Sequence, residues 1–226
     1  MKATLPSWIS ARGRVASGTN RVSSSPPRSG YRGKRLLDLA CVAALAAPAA
    51  VIAAVCGVAV RLTSSGPALF RQCRVGRDGQ PFTILKFRTM IHADNPLHPE
   101  TERITTVGRW LRRSSLDELP QLWNVLRGEM SIVGPRPTLA YQVDRYTPRQ
   151  RRRLSVLPGI TGLAQIRGRN SISWSQRIDF DLEYVERQSL QLDLAILSLT
   201  LFAVLKREGV EGHPRDDPLA RVEDCV

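Results

Sequence analysis

The sequence has no GxGxxG, no Walker loop and no GxSxG. Its three histidines, His92, His98 and His213, fall in expected loops or the C-terminal tail. These gaps disfavour a dinucleotide fold, a P-loop and any histidine-activated nucleophile. The four cysteines (Cys41, Cys56, Cys73 and Cys225) form no CxxC pair and have no histidine at metal-ligand spacing. Two of them lie in an apolar run, where cysteine is a small hydrophobe, so a reducing compartment is expected rather than a zinc or disulfide framework. Aromatics make up only 6% of the chain and no nucleic-acid-binding signature is present, which disfavours a nucleic acid partner. A secretory signal peptide is not indicated, since the apolar run begins late and no cleavage site follows a short hydrophobic region. Acidic residues are missing from positions 1–37, which carry eight Lys or Arg; of the net +13, that leaves +5 for the remainder. Such a balance fits phosphorylated substrates or an anionic membrane surface.

What is present divides the chain into four parts. Residues 1–33 are rich in Ser, Gly, Pro and Arg without hydrophobic period, and are expected to be a disordered basic tail. Residues 34–63 contain 22 uncharged positions, Leu39 to Val60, bracketed by Lys34, Arg35 and Asp38 on one side and Arg61 on the other. As a helix that run is about 33 Å long, enough to cross a bilayer core. Ten of the 22 are Ala and Pro48 sits near the middle. Proline removes a backbone hydrogen bond and bends a helix, and basic flanks at both ends suit two cytoplasmic ends. A Pro-broken re-entrant membrane helix is therefore expected, with a kinked spanning helix and a buried core helix of a soluble protein as the alternatives.

Residues 64–207 read as a small α+β, mostly helical catalytic domain, and 208–226 as a polar tail. Ala68–Gln72 and Pro81–Met90 are expected strands about a hairpin turn at Val75–Gln80, with Lys86 and Arg88 on one strand face. His92–Thr101 should be a loop, and Arg103–Arg113 a short helix with Trp110 and Leu111 inward. The next helix should begin at Ser115 with a capping box to Glu118, or at Asp117 with Pro120 in its first turn. Leu119, Leu122, Leu126 and Trp123 would form its apolar stripe. Residues 143–157 are strongly basic, Trp174–Arg187 should be helical, and Ser189–Lys206 a Leu-rich helix too short to span.

With histidine chemistry disfavoured, carboxylates and arginines remain. Asp117 and Glu118 are adjacent, with Arg112 and Arg113 before them and the rigid Gly134-Pro135-Arg136-Pro137 turn after them. A carboxylate held ionised at a helix start can act as a nucleophile on phosphorus, and its neighbour can hold Mg²⁺. Arg112 and Arg136 can grip phosphate oxygens in bidentate fashion, which suits phosphoryl transfer. A competing motif is Asp179-Phe180-Asp181, the DxD form of metal-dependent glycosyltransferases, though the alternating strand–helix pattern of a nucleotide-binding half is missing.

Six separate segments then carry a resemblance. They are Gly66-Pro67-x-x-Phe70-x-Gln72, Arg74-Val75-Gly76, Lys86-Phe87-Arg88-Thr89-Met90, Ser115-Leu116-Asp117-Glu118-Leu119-Pro120-Gln121, Gly134-Pro135-Arg136-Pro137 and Pro158-Gly159-Ile160-Thr161-Gly162. Together, over about Lys34 to Lys206, they resemble the bacterial sugar transferases, the monotopic polyprenyl-phosphate phosphoglycosyl transferases that start exopolysaccharide or O-antigen assembly. The resemblance implies a UDP-sugar donor, an undecaprenyl phosphate acceptor, Mg²⁺, and a site on the cytoplasmic face of the inner membrane. It implies Asp117 as the nucleophile that expels UMP, with Asp117 and Glu118 at the metal. Arg112, Arg136, Lys86 and Arg88 become the expected phosphate-binding set, and Pro48 the helix-breaking proline. Ala47 departs from the Ser common before that proline. The minimal catalytic form is implied, and a homodimer is compatible with it. A non-catalytic membrane-anchored scaffold of a polysaccharide assembly complex is the alternative from another class.

Overall fold

The computed structural model describes residues 30–91, 103–168 and 172–206. The expectations for most of the basic tail, for the 92–101 loop and for the C-terminal tail lie outside the described residues.

Helix α1, Lys34–Thr63, is the longest element and keeps helical structure across Pro48 to its end. It is therefore one helix of 30 residues rather than two. A proline inside it costs one backbone hydrogen bond and bends the axis without ending the element. Among the described residues it is the one helix long and apolar enough to cross a membrane. Its buried residues, Asp38, Val42, Cys56 and Val60, return at helical spacing and form one stripe. Leu36, Leu45, Val51, Val55, Val58 and Leu62 are exposed, an apolar surface that no part of the described chain covers.

Strands β1, Leu69–Val75, and β2, Pro81–Phe87, pair antiparallel, with Leu69 opposite Phe87 and Val75 opposite Pro81. The hairpin is as expected in kind; β1 runs three residues further than the sequence suggested and β2 stops three earlier. Helix α2, Thr106–Ser114, follows, capped by the Thr105 side chain on the Gly108 amide. Leu111 is fully buried, but Trp110 is 57% exposed, so only one of the two expected inward residues points in.

Helix α3 covers only Gln121–Leu126. Its buried face is Gln121, Asn124 and Val125; of the expected stripe Leu119 and Leu122 pack against the core, while Trp123 and Leu126 are exposed. Asn124 holds its place on that face through hydrogen bonds. Its side-chain oxygen accepts from the Leu85 amide at 3.1 Å and its nitrogen donates to the Thr83 carbonyl at 2.7 Å. The residue thus satisfies two backbone groups of β2 and ties α3 to the hairpin.

Beyond α3 lie β3, Ser131–Val133, and β4, Gly159–Thr161, a parallel pair that the sequence reading missed. Between them come α4, Ala140–Asp144, and α5, Pro148–Arg151. Helix α6, Leu163–Arg167, leads to α7, Trp174–Arg187, whose ends match the expectation, and α8, Leu190–Lys206. The main core draws Val42 from α1, Val125 from α3, Val133 from β3, Tyr184 from α7 and Ile196 from α8. A smaller cluster joins Cys56 and Val60 of α1 to Phe87 of β2 and Leu111 of α2. Both halves of α1 are thereby packed on the same domain.

Candidate active site

Three local devices bring the charged residues together. Ser115 takes a left-handed backbone conformation (φ 57) and closes α2, its amide donating to the Arg112 carbonyl at 3.1 Å. The chain then forms a tight 3-10 turn, Leu116–Glu118, before α3 begins after Pro120. Asp117 and Glu118 therefore occupy a turn between two helices, not the first turn of a helix. No side-chain capping bond forms at Ser115, so the expected capping box is absent. Pro120 lies outside the hydrogen-bonded part of α3, which avoids the cost of its missing N–H.

The second device is close contact of α2 with the end of β2. A Cβ placed on Gly108 would lie 2.1 Å from the Thr89 carbonyl oxygen, so only glycine lets the helix approach this closely. That approach puts Arg112 Nε 2.9 Å from Thr89 Oγ1. The third device is contact between β3 and β4. A Cβ on Gly159 would lie 2.1 Å from the Gly134 nitrogen, and the Gly134 amide donates to the Thr161 carbonyl at 2.8 Å. The glycines of the two expected turns are partners in one structure, and it fixes where Arg136 emerges.

In the resulting site Lys86 Nζ stands 2.9 Å from Glu118 Oε1. Arg136 donates from both terminal nitrogens to the two Glu118 oxygens, through Nη2 to Oε1 and through Nη1 to Oε2 at 3.4 Å. The Glu118 side chain is only 14% exposed. Burial alone would raise its pKa, but Arg136 and Lys86 outweigh burial and hold the carboxyl well below the usual range. Asp117, next to it, behaves in the opposite way. It is 9% exposed and accepts no hydrogen bond among the described residues. Burial and the Glu118 charge push its pKa up to about 6, against the pull of Lys86, Arg136 and Arg112. The expectation that a helix terminus holds both carboxylates ionised is corrected on this point: Asp117 has no helix N-terminus beneath it.

Asp117, Glu118, Lys86 and Arg136 are brought together, and Arg112 is close enough to act on the Asp117 charge. Arg88 is not with them. The strand ends at Phe87, and Arg88 donates instead to the Ser64 carbonyl and hydroxyl at 2.7 and 2.9 Å, bracing the end of α1. Of the basic stretch 143–157, Arg153 is buried against Asp181 and donates to the Arg136 carbonyl at 3.0 Å. The DxD pair is split: Asp179 lies on the surface against Arg149 at 2.8 Å, and Asp181 is buried against Arg153. The two aspartates do not form a joint metal site. Sequence reasoning also missed Arg74 on β1, whose charge neighbours include Arg136 and Glu118. Its place within the Arg74-Val75-Gly76 segment was the available signal.

Two adjacent carboxylates offer oxygen donors only, the type a hard divalent cation takes. Glu118 has about four acceptor positions and uses three on Lys86 and Arg136, while the Asp117 carboxylate is free of hydrogen bonds among the described residues. The donor set fits one such cation that also takes phosphate oxygens. No cluster of three or more acidic, histidine or cysteine ligands occurs among the described residues, so the protein alone would not enclose it.

Residues 30–207 match the family model described as bacterial sugar transferase. The chain is 47% identical over 181 residues to the uncharacterized sugar transferase EpsL of Bacillus subtilis, covering 79% of this chain and 90% of that protein. It is 44% identical over 189 residues to the UDP-glucose:undecaprenyl-phosphate glucose-1-phosphate transferase of Caulobacter vibrioides, covering 78% of this chain and 71% of the relative. The undecaprenyl-phosphate galactose phosphotransferase of Salmonella typhimurium is 43% identical over 164 residues, which are 64% of this chain and 34% of that larger protein.

Proposed function

The chain belongs to the bacterial sugar transferase family, and from that premise we propose that it carries a sugar-1-phosphate from a UDP-sugar to undecaprenyl phosphate. The observation that carries this reading is the Asp117 carboxylate, free of hydrogen bonds among the described residues and set against Lys86, Arg112 and Arg136. An oxygen of Asp117 attacks the sugar-bearing phosphorus of the donor. The new bond is carboxylate oxygen to phosphorus. The bond from that phosphorus to the bridging oxygen breaks, and the oxygen leaves with its electron pair as part of UMP. A phosphate oxygen of the lipid then attacks the same phosphorus and displaces Asp117. Neither step requires a protein group to move a proton.

Lys86 and Arg136 keep Glu118 fixed and ionised and present their remaining donors to phosphate oxygens. Their side chains are 20% and 39% exposed, so both reach solvent where a donor can enter. Asp117 and Glu118 would hold Mg²⁺, which supplies neutralisation of the charge gathering on the departing nucleotide.

The packing of α1 supports a membrane-anchored enzyme with both helix ends on one side. Val42 and Cys56 are about 21 Å apart along the axis, yet both are packed on the same domain. Crossing the bilayer would place those two positions at different depths while one folded domain holds both. We assign the domain to the cytoplasmic face of the inner membrane, where a soluble nucleotide-sugar meets a lipid phosphate.

One assay tests the chemistry: identify the nucleotide released from a UDP-sugar by the membrane-reconstituted protein. UMP release, lost by a thousandfold or so in Asp117→Asn, is expected for an obligatory nucleophile. UDP as product would instead support direct glycosyl transfer, and no nucleotide at all would support the scaffold reading.

A further inference from the structure

We propose that Arg74 is a second donor-phosphate clamp, which binds the phosphate next to the nucleoside and so fixes the direction in which the UDP-sugar lies. The inference rests on the functional reading above and adds a residue and an orientation to it. The sugar-bearing phosphate sits at Asp117, and the nucleotide half extends past Arg136 toward the end of β1 and the start of α4.

The backbone puts Arg74 next to the segment that carries Arg136. Val75, its neighbour, donates its amide to the Thr138 carbonyl at 2.9 Å, bridging the end of β1 to the chain that follows Gly134-Pro135-Arg136-Pro137. Val75, Gly76, Arg136 and Thr138 consequently lie close together. Arg74 itself is under-used in this setting. Its Nη2 donates to Gln72 Oε1 at 2.7 Å, while its Nε is buried without an acceptor among the described residues. A guanidinium has five N–H donors in a fixed fork, and that fork matches phosphate oxygens. A buried donor left without a partner is costly, so a ligand that supplies the acceptor is favoured.

On the β1–β2 pair Arg74 stands opposite Phe82 and Lys86 opposite Phe70, so both lie on one face, four positions apart along the ladder. Lys86 and Arg136 meet on Glu118, and the charges of Arg136 and Glu118 act on Arg74 as well. Four cations (Lys86, Arg74, Arg112 and Arg136) outnumber the two carboxylates, and the surplus positive charge suits a nucleoside diphosphate ester. Burial and the nearby Arg136 depress the Arg74 pKa to about 10, as expected of a cation whose counter-charge arrives with the substrate.

The test measures UMP affinity and steady-state kinetics on the full-length protein in lipid nanodiscs, with Arg74→Gln and Arg74→Lys. An ionic hydrogen-bonding partner is lost, so Arg74→Gln is expected to weaken UMP binding and raise the KM for the UDP-sugar by about 10- to 100-fold. The kcat should change less than about threefold and the KM for undecaprenyl phosphate should be unchanged. Arg74→Lys, which keeps the charge without the fork, should recover part of the loss. Equal UMP affinity in wild type and both variants overturns the inference, as does a defect confined to kcat or to the lipid KM. If Arg74→Gln fails to fold, the lysine variant carries the test alone: a loss in UMP affinity supports the clamp and wild-type affinity overturns it. The outcomes separate from those of the functional reading through Asp117→Asn. That variant should still bind UMP while turning nothing over, and a wild-type protein with no UMP affinity sinks both readings.

Discussion

Asp117 and Glu118 are neighbours in the chain with opposite electrostatic fates. Glu118 points at two cations and is held ionised; Asp117 is left with burial and a negative neighbour, which push its pKa up to about 6. The nucleophile must be ionised to attack, so its working fraction rises with pH through that value. In a single-turnover measurement of UMP release without lipid acceptor, the rate should fall about tenfold per unit below pH 6 and level off above it. Glu118→Gln removes a charge that raises Asp117 and frees Lys86 and Arg136 to act on it. The residual activity of that variant should show its acid limb at lower pH, and an unmoved limb would mean that another group titrates.

Among the elements, the site depends on close backbone contacts that only glycine permits. The β3–β4 pair is three residues long on each side, yet it sets the exit direction of the Gly134–Pro137 turn and so of Arg136. Gly159→Ala would force a methyl group to within 2.1 Å of the Gly134 nitrogen, and backbone cannot yield as a flexible side chain does. Overpacking of this kind typically costs about 1–3 kcal/mol. The expected outcome is a clear drop in the melting temperature together with a raised KM for the donor; wild-type stability and kinetics in this variant would count against the contact. Helix α3 makes a related point. It joins the core through Val125 and Leu122 and the hairpin through Asn124, which completes the hydrogen bonding of the β2 backbone.

The whole molecule is joined through a buried polar network at the base of α1. Lys34 Nζ lies 2.6 Å from Asp193 Oδ2 and 3.0 Å from the Val133 carbonyl. Tyr31 and Tyr184 also donate to Asp193, at 2.9 and 2.8 Å. Asp38 accepts from the Ser131 hydroxyl at 2.8 Å and the Ile132 amide at 3.0 Å. One cluster thus connects α1, β3, α7 and α8. Breaking a buried pair by removing one partner strands the other charge, at a cost of about 3–5 kcal/mol, whereas removing both costs less. Lys34 also lies 3.7 Å from Asp38, so Asp193→Asn should destabilise the protein while leaving Lys34 one counter-charge. The double variant with Lys34→Met should lose less than the sum of the two single losses; strict additivity in this cycle would deny the coupling. The same anchoring predicts topology. In a background without native cysteines, Asn20→Cys should react with a membrane-impermeant thiol reagent from the cytoplasmic side only, and reaction from the periplasm would defeat the re-entrant arrangement.

The sequence by itself determined the long apolar helix, the hairpin, the helix Trp174–Arg187 and the closeness of charged groups in the Asp117–Glu118 pair. Those follow from local chemistry: uncharged length, alternation, turn residues and the spacing of charged groups. The tertiary structure decided what local chemistry leaves open. It put Arg88 on the end of α1 and Lys86 on Glu118, although strand alternation gave the two one face, because β2 ends between them. It divided the DxD aspartates between surface and core, and it turned Trp110 and Trp123 outward. It joined Gly134 to Gly159 across 25 positions of chain, a parallel contact with no signature in either segment alone. Above all it separated two adjacent carboxylates by the cations each could reach, and those cations come from β2 and from beyond β3, where sequence distance says nothing about contact.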